Sequence, residues 1–507
     1  MATRAKKPAG RKPPPVKRKK PSDGAAAADH VRVRMYCQGL GDCFLLTFVH
    51  GGQETHVMID CGVFLSTEKA PEKMAAVLAD VRKTTGGTLD LVIATHEHWD
   101  HLSGFFQAPD ELKQLTIKNL WTAWTEDPEH PLARRLRNQR GMRRAVVGRM
   151  LEKLDGVAGV NGAAADDESL GERIAAVRRV LEFEGLPAKG KGKTKSGGDD
   201  IAKAFENLKQ KCPAGTEYLK PGQKPMPIPG VPGTRVFVLG PPEDEKALHR
   251  LDSEKEGVLY HVATRLAAEA GLAAALGVHD PEPTESPEDR ENLAKPFDPR
   301  HGVPLATALK KPFLKQHYAN PGQSWRRIDE AWLGAAGQLA LHLNSYTNNT
   351  SLALAIELQP SGRVLLMPGD AQLGNWDTWH ALKWKIAGQD DVSIQQLFEK
   401  TVLYKVSHHG SHNGTLKDRG LERMTHPELV AMIPVDQVKA TRLGFAMPFG
   451  KLLKGLQGRT QNRILRVDRD PGKKPAGVTQ AAWDRFRSER SIASKKGLYV
   501  EMKIPFA

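Results

Sequence analysis

Thr95-His96-Glu97-His98-Trp99-Asp100-His101 places three imidazoles and two carboxylates in one short loop. The apolar run before it, residues 89–94, predicts a buried strand, so the loop leaves a sheet at its edge. His96 and His98 can face one ion while Asp100 and His101 turn to a second. Imidazole nitrogens with a carboxylate suit zinc first, with manganese or iron as alternatives. A histidine-rich surface loop is the other interpretation, but the strand in front of the loop favours a metal site.

Length and composition predict a globular protein. A chain of 507 residues with 40% hydrophobic residues can bury a large core, and its length suggests two or three domain-sized units. Because no run approaches the roughly 18 apolar residues of a membrane helix, and no apolar signal segment opens the chain, we expect a cytoplasmic protein without membrane attachment. The four cysteines form no CxxC pair and are expected to be buried thiols.

The N-terminal segment 1–30 is strongly basic. It carries nine Lys or Arg against Asp23 and Asp29, hence +7 of the formal net charge of +15, which leaves +8 for the remaining chain. Its Pro- and Ala-rich composition, without apolar periodicity, predicts a disordered tail. Such a tail can bind the phosphates of a nucleic acid through salt-sensitive contacts. A solubilising tail without a partner explains the composition equally well, and protein partners stay unknown.

The strand pattern predicts a core interrupted by two insertions. Core segments are expected at 31–125, 223–242 and 336–507, and helical insertions at 126–222 and 243–335. The first insertion contains a Gly- and Lys-rich run, 189–200, that we expect to be a mobile loop. The second contains a Pro-rich linker, 279–300. The insertions are interpreted as a cap or a partner surface.

Two later strands end in polar residues suited to the same site. The run 364–367 is followed by Pro368-Gly369-Asp370, and the run 402–406 by Ser407-His408-His409-Gly410-Ser411-His412. A Gly-Asp pair alone is usually a turn. In this order, however, the two strand ends could complete a two-metal cage with the first loop.

The ordered motifs resemble those of metallo-β-lactamase-fold hydrolases, in particular the branch similar to the soluble metallo-β-lactamase-like domain of the DNA-uptake protein ComEC. The matching motifs are Gly39-Leu40-Gly41-Asp42, Ile59-Asp60-Cys61-Gly62, residues 96–101, Asn348-Asn349-Thr350-Ser351, Gly369-Asp370 and His408-His409-Gly410-Ser411. The match covers about 31–125, 223–242 and 344–468. It implies an α/β fold, the four-layer αββα sandwich, with two largely helical insertions.

The resemblance also implies a ligand set. His96 and His98 would hold the first metal, Asp100 and His101 the second, and Asp370 would bridge both. His408 is preferred as the last ligand because it comes first after its strand, with His409 a close second. Many metallo-β-lactamase relatives have a metal-binding histidine where this chain has Asn349, and the ComEC-like pattern usually has His-Pro where this chain has Met447-Pro448. This chain lacks both histidines. His342 is a candidate substitute for the first.

Other side chains have expected roles around the metals. Asp42 and Asp60 would orient the imidazoles by accepting their free N–H groups, although Asp42 could equally serve turn amides. Asn349 is placed beside the ligands by its motif. Ser411 and His412 are candidates for substrate contact or leaving-group protonation. The expected catalytic residues are thus Asp100, Asp370 and His412.

The function that the resemblance implies is metal-dependent hydrolysis. Two divalent ions about 3.5–4 Å apart would hold a bridging hydroxide as a nucleophile at neutral pH. The ComEC-like motifs and the positive charge favour a phosphodiesterase or nuclease. The alternative is a small-molecule hydrolase of a phosphoester, lactone or thioester, with the insertions roofing its pocket. A third interpretation is a binding module with a vestigial site.

Overall fold

Two large β-sheets face each other in this computed structural model and carry helices on their outer surfaces. The structure describes residues 28–160, 168–186, 197–250, 303–318, 320, 331–388 and 390–507. The layer order helix, sheet, sheet, helix confirms the predicted αββα sandwich. The expectations for the tail 1–27, the run 189–196 and the part 251–302 of the second insertion, which includes the linker 279–300, lie outside the described residues.

The first sheet has eight strands in the order β18-β19-β1-β2-β3-β5-β7-β8. They are β1 (His30–Tyr36), β2 (Cys43–His50), β3 (Gln53–Cys61), β5 (Leu91–Ala94), β7 (Leu120–Ala123), β8 (Thr216–Leu219), β18 (Ala493–Lys495) and β19 (Tyr499–Pro505). The strands β3, β5, β7 and β8 are parallel neighbours, and the others pair antiparallel. A separate short ladder joins β4 (Thr88–Leu89) to β6 (Thr116–Ile117).

The second sheet has seven strands in the order β17-β16-β15-β12-β11-β10-β9. They are β9 (Met226–Ile228), β10 (Val231–Gly240), β11 (Ala353–Leu358), β12 (Arg363–Met367), β15 (Thr401–Lys405), β16 (Val430–Ile433) and β17 (Ile464–Arg466). From β12 to β17 the strands run parallel. A two-stranded ribbon, β13 (Lys383–Trp384) and β14 (Val392–Ser393), lies outside it.

The described helices fall into two groups. Those in the first half of the chain are α1 (Ala70–Thr85), α2 (Trp99–Leu102), α3 (Gly104–Gln107), α4 (Pro109–Lys113), α5 (Pro131–Val160), α6 (Glu168–Leu181), α7 (Gly197–Gln210) and α8 (Glu245–Leu248). Those in the second half are α9 (Leu305–Ala308), α10 (Pro312–His317), α11 (Ala331–Asn349), α12 (Leu373–Thr378), α13 (Ile394–Glu399), α14 (Gln437–Arg442), α15 (Gly450–Arg459) and α16 (Gln480–Glu489).

The alternation of side chains in β1 shows why the sheets stack. Val31, Val33 and Met35 point into the apolar layer between the sheets, where they join side chains of β11 and β12. Arg34 points to the opposite face, where its guanidinium binds Asp80 of α1 at 2.6 Å. Because strand residues alternate between faces, one strand supplies both the central core and the contact with an outer helix.

The structure extends the first sheet beyond the segments predicted for it. The strand β8 pairs parallel with β7, and Ile201 and Leu208 of α7 join the apolar cluster on the outer face of this sheet. Residues 197–219 therefore belong to the sandwich, although the sequence analysis placed them in the insertion 126–222. The strand β8 is four residues long with one buried side chain, which leaves almost no apolar pattern to recognise.

Two glycines let the turns at residues 39–42 and 59–62 lie directly against the loop 95–101, called the metal loop below. A Cβ atom on Gly62 would come within 2.3 Å of the Asp100 backbone carbon, and one on Gly41 within 2.8 Å of the Asp100 oxygen. Gly41 also has a φ of +143°, which disfavours other residues. The close approach allows the Asp42 amide to donate to the Asp100 carbonyl at 3.0 Å. The glycine motifs thus set the position of the metal loop.

The four cysteines are free thiols, as expected from the sequence. Cys43, Cys61 and Cys212 are buried, and Cys37 is half-buried.

Candidate metal centre

The candidate site forms where strands of both sheets end. Asp60 closes β3, the loop 95–101 follows β5, Asp370 follows β12, and His408 and His409 follow β15. The carboxyl ends of parallel strands meet at one edge, which brings these side chains together. Asp60, His408 and His409 have positive φ angles of 54°, 50° and 52°. Such strained backbone persists only where the surrounding structure enforces it, and it concentrates at functional sites.

Four side chains converge at the centre of this edge. Ligand-type atoms of Asp42, His101, Asp370 and His409 all lie within 4.8 Å of one another, and all four residues are buried. The Nε2 atoms of His101 and His409 lie 3.1 Å and 3.2 Å from Asp370 Oδ2. Asp100 joins the group, because its Oδ2 lies 2.9 Å from His409 Nε2.

The outer nitrogens of His101 and His409 determine which way each ring presents its lone pair. His101 Nδ1 lies 2.8 Å from Asp60 Oδ2, and His409 Nδ1 lies 3.0 Å from the Pro434 carbonyl. Since both partners are acceptors, each Nδ1 carries a proton. Each Nε2 then faces the carboxylates, where a proton or a metal ion on Nε2 satisfies both groups. Metal-ligating histidines are typically held by such an outer hydrogen bond.

His96 and His98 form a second converging pair. The Thr95 hydroxyl donates to Asp60 Oδ2 at 2.7 Å, so it accepts from His96 Nδ1 at 3.0 Å. His98 Nε2 donates to Glu184 Oε1 at 3.0 Å. The two remaining nitrogens, His96 Nε2 and His98 Nδ1, lie 3.0 Å apart. With these tautomers two lone pairs face each other in a buried space, an arrangement that a bound cation would stabilise.

The charges of the cluster also suit a cation. Burial alone would raise the pKa of Asp370, but His409, Lys405 and His101 outweigh it and hold that pKa well below its usual range. Burial would lower the pKa of His409, but Asp370 and Asp100 raise it to about 10. A metal ion would replace the protons that these imidazoles otherwise hold.

Two carboxylate oxygens of the cluster are left without a hydrogen bond. Asp42 Oδ1 and Asp100 Oδ1 are buried and have no hydrogen-bond partner among the described residues. A buried unpaired carboxylate oxygen is costly unless something else neutralises it. These two oxygens and the converging imidazole nitrogens show that these residues fit divalent metal ions.

Lys405 is a member of the site that the sequence analysis missed. Its ammonium is buried and lies 2.5 Å from Asp42 Oδ2 and 2.9 Å from Asp370 Oδ1, and it also donates to the Gly369 carbonyl at 2.6 Å. Burial alone would lower the pKa of Lys405, but Asp370 and Asp42 raise it above its ordinary value. The available signal was a lysine ending an otherwise apolar strand. Asp42 thus pairs with Lys405, and its Oδ1 also lies 3.4 Å from His409 Nδ1. The sequence analysis left open whether Asp42 would orient an imidazole or serve turn amides, and it did not foresee the lysine.

The structure places His409, and not His408, in the central group. Both residues follow β15 with left-handed backbone, so the chain turns between them and their rings diverge. His408 Nδ1 lies 3.1 Å from Gln372 Nε2 and 3.3 Å from Asn413 Oδ1. Burial lowers the pKa of His408 to about 4, so its ring is neutral. The preference for His408 over His409 as the last ligand is therefore not supported by the geometry.

Three other predicted residues lie outside the cluster. Asn349 Nδ2 donates to the Leu248 and Arg250 carbonyls and so ties α11 to α8. Ser411 Oγ donates to Asn413 Oδ1 at 3.0 Å, within the group around His408. The His412 ring packs edge-on against Phe449, with ring centroids 6.0 Å apart.

The helix α5 of the first insertion contributes two buried arginines beneath the metal loop. Arg140 binds Glu126 at 3.2 Å and Glu97 at 2.5 Å. Arg144 binds Glu184 at 2.6 Å and donates to the Glu97 carbonyl at 2.9 Å. These contacts join the first insertion to the loop 95–101. No local sequence pattern indicated this connection.

The Glu126 carboxylate makes a testable contribution to acid stability. Burial alone would raise its pKa, but Arg140 and hydrogen bonds lower it to about 2. Since an unfolded glutamate titrates near about 4.3, this stabilisation is present above that pH and is lost as pH falls towards 2. We expect the unfolding free energy to fall less between pH 5 and pH 3 in Glu126→Gln than in the wild type, measured by urea denaturation.

The exposed Glu129→Gln variant is the matched control for that experiment and should follow the wild-type curve. Parallel curves for Glu126→Gln and the wild type would contradict the assignment.

Comparison with known proteins matches one segment of the chain. Residues 38–186 match the family model described as the metallo-beta-lactamase superfamily. The chain has no significant match among curated proteins. Among the described residues, no helix has the length and apolar character needed to cross a membrane. The matched segment contains the loop 95–101, Asp42, Asp60 and Glu184. A domain of this superfamily implies a metal-dependent hydrolase, and residues 38–186 identify such a metallo-beta-lactamase superfamily domain in this chain.

Proposed function

We propose that the protein is a phosphodiesterase or nuclease that uses two divalent metal ions, with zinc the first choice and manganese or iron as alternatives. The observation that carries the proposal is the orientation of four imidazoles. In His96, His98, His101 and His409 the outer nitrogen is held by an acceptor, and the inner nitrogen points into the cluster. Four inner nitrogens are thus gathered where metal ions can bind them: those of His101 and His409 face Asp370, and those of His96 and His98 face each other.

The proposal assigns two adjoining sites. Site one is His96 with His98, and site two is Asp100, His101 and His409. Asp370 is assigned to bridge them: its Oδ2 faces His101 and His409 of site two, while its Oδ1 is held by Lys405. When bound, a pair of divalent ions would lower the pKa of a water so that it can act as a nucleophile at neutral pH. The same ions would neutralise charge on a phosphoryl oxygen.

The residues around His408 suit a phosphoester. Beside Asp370 lies a buried hydrogen-bond network of four side chains, none of which is a carboxylate: His408, Gln372, Asn413 and Ser411. Neutral amide, hydroxyl and imidazole groups can donate to phosphate oxygens without adding negative charge. The nine basic residues of the segment 1–30 add electrostatic attraction for a nucleic acid.

One observation favours the alternative of a small-molecule hydrolase. His101 and Asp100 have no exposed surface, and His96 and His98 are 2% and 1% exposed. A site this deep admits a small molecule or a chain end more easily than the middle of a duplex. The substrate panel must therefore include small phosphoesters, lactones and thioesters.

Incubation of the full chain with labelled single- and double-stranded nucleic acid, in Zn²⁺ or Mn²⁺, tests the proposal. We expect cleavage that chelation abolishes. Removal of residues 1–27 should weaken cleavage at low salt, with a smaller effect at high salt, because it removes phosphate contacts.

Hydrolysis of a small ester that is unchanged by the same truncation would support the alternative. A metal-loaded protein that cleaves no nucleic acid would refute the nuclease proposal.

A further inference from the structure

A carboxylate of the first insertion, that of Glu184, binds a histidine of the proposed site one. Glu184 follows α6 and is completely buried. Its Oε1 accepts from His98 Nε2 at 3.0 Å, and Thr347 Oγ1 of α11 lies 3.1 Å from the same oxygen. Its Oε2 accepts from Arg144 Nε of α5 at 2.6 Å. The helix α5 of the first insertion and α11 at the end of the second thus hold this carboxylate against the His98 ring.

We propose that Glu184 is a positioning residue for His98, and that the insertion around it is part of the metal centre. This inference rests on the proposed function, because it concerns the same site one. The hydrogen bond from Nε2 leaves the lone pair on Nδ1, and Nδ1 is the atom 3.0 Å from His96 Nε2. With the opposite tautomer, Nδ1 would carry a proton where the ion should bind.

Arg144 makes this arrangement rigid. It holds Glu184 through Nε and the carbonyl of Glu97 through Nη2, at 2.9 Å, so it connects the carboxylate with the residue before His98. Carboxylates that accept a hydrogen bond from a ligand histidine typically contribute about 10- to 100-fold to metal affinity. We expect a loss of affinity of this size at site one when Glu184 is removed. Site two has its own partners, Asp60 and the Pro434 carbonyl, and should be little affected.

The chain offers a matched control two residues away. Glu182 is also buried, at 3% exposure, but its carboxylate accepts from the Ser66 amide and contacts no histidine of the cluster in the described structure. Glu182→Ala therefore removes a buried carboxylate from the same segment without touching His98.

The test is a titration of the full-length protein with ¹¹³Cd²⁺ followed by NMR, which gives separate signals for separate sites. His96→Ala identifies the signal of site one. We expect Glu184→Ala to shift that signal and to weaken binding at site one about 10- to 100-fold, with site two unchanged. Glu182→Ala should keep both signals.

Because Glu184→Ala leaves Arg144 buried without its partner, it can fail to fold. Arg144→Leu/Glu184→Leu removes both charges together, a change that proteins often tolerate. It should show the same loss at site one, with a cooperative thermal transition as the check on folding.

Wild-type signal and affinity at site one in either Glu184 variant would overturn the inference and leave the metal centre intact. If instead the wild type binds no cadmium at all, the proposed function itself fails.

Discussion

Asp370→Ala is expected to lose bound metal and activity together. Asp370 Oδ2 lies 3.1 Å and 3.2 Å from His101 and His409, so it is the carboxylate common to the proposed cluster. We expect a loss of activity greater than about 100-fold, because that is the upper end for removing only an outer partner of a ligand. Metal content by mass spectrometry and hydrolysis rates are measured on the same preparation.

Asp377→Ala provides a matched control on the following helix. Asp377 belongs to α12 and binds Arg250 and Arg419 at the surface, away from the cluster. This variant should keep wild-type metal content and activity. Asp370→Asn, which keeps the side-chain volume, should behave like Asp370→Ala. Wild-type metal occupancy in either Asp370 variant would refute the shared role.

Lys405→Met is expected to destabilise the metal-free protein strongly. The substitution leaves the carboxylates of Asp42 and Asp370 buried without the ammonium that lies between them. Breaking a buried ion pair by removing one partner typically costs about 3–5 kcal/mol. The unfolding free energy should fall by this amount in denaturant titrations with a chelator present. Added zinc should stabilise Lys405→Met more than the wild type, since the ion neutralises the same carboxylates.

Lys400→Met is the control for that prediction. Lys400 lies just before β15, its side chain is 50% exposed, and it pairs with Glu357 at 3.4 Å. Because Lys400 is half exposed and Glu357 keeps a second partner, Arg235, at 3.2 Å, the loss should be about 1 kcal/mol or less. If Lys405→Met and Lys400→Met lost equal stability, the buried ammonium would not have the role assigned to it.

The parts of the site that the sequence analysis identified share one property. The loop 95–101 and Asp370 each come just after a recognisable apolar strand, β5 or β12. Their place at a strand end could therefore be predicted from the sequence. The apolar strands also indicated a core built on β-sheet, whereas the four-layer sandwich was expected from the resemblance of the ordered motifs. The choice between His408 and His409 was not, since it depends on two left-handed residues after β15 that no composition rule reveals.

The contributions of the insertions could not be predicted locally. Glu184 lies 86 positions from His98 in the chain, in a segment whose neighbours are charged helices. Only the fold brings it to the ring. The strand β8 is short and mostly half-buried or exposed, so its membership of the first sheet also depends on tertiary pairing with β7.

Anomalous diffraction at the zinc absorption edge, from crystals of the full chain loaded with zinc, tests the central claim most directly. We predict two peaks in the anomalous difference map. One should lie within bonding distance of His96 Nε2 and His98 Nδ1, and the other beside His101 Nε2 and His409 Nε2. Zinc–nitrogen distances of about 2.0–2.1 Å are expected at both. Well-ordered crystals with the cluster free of any peak, or with zinc bound only at other residues, would contradict it.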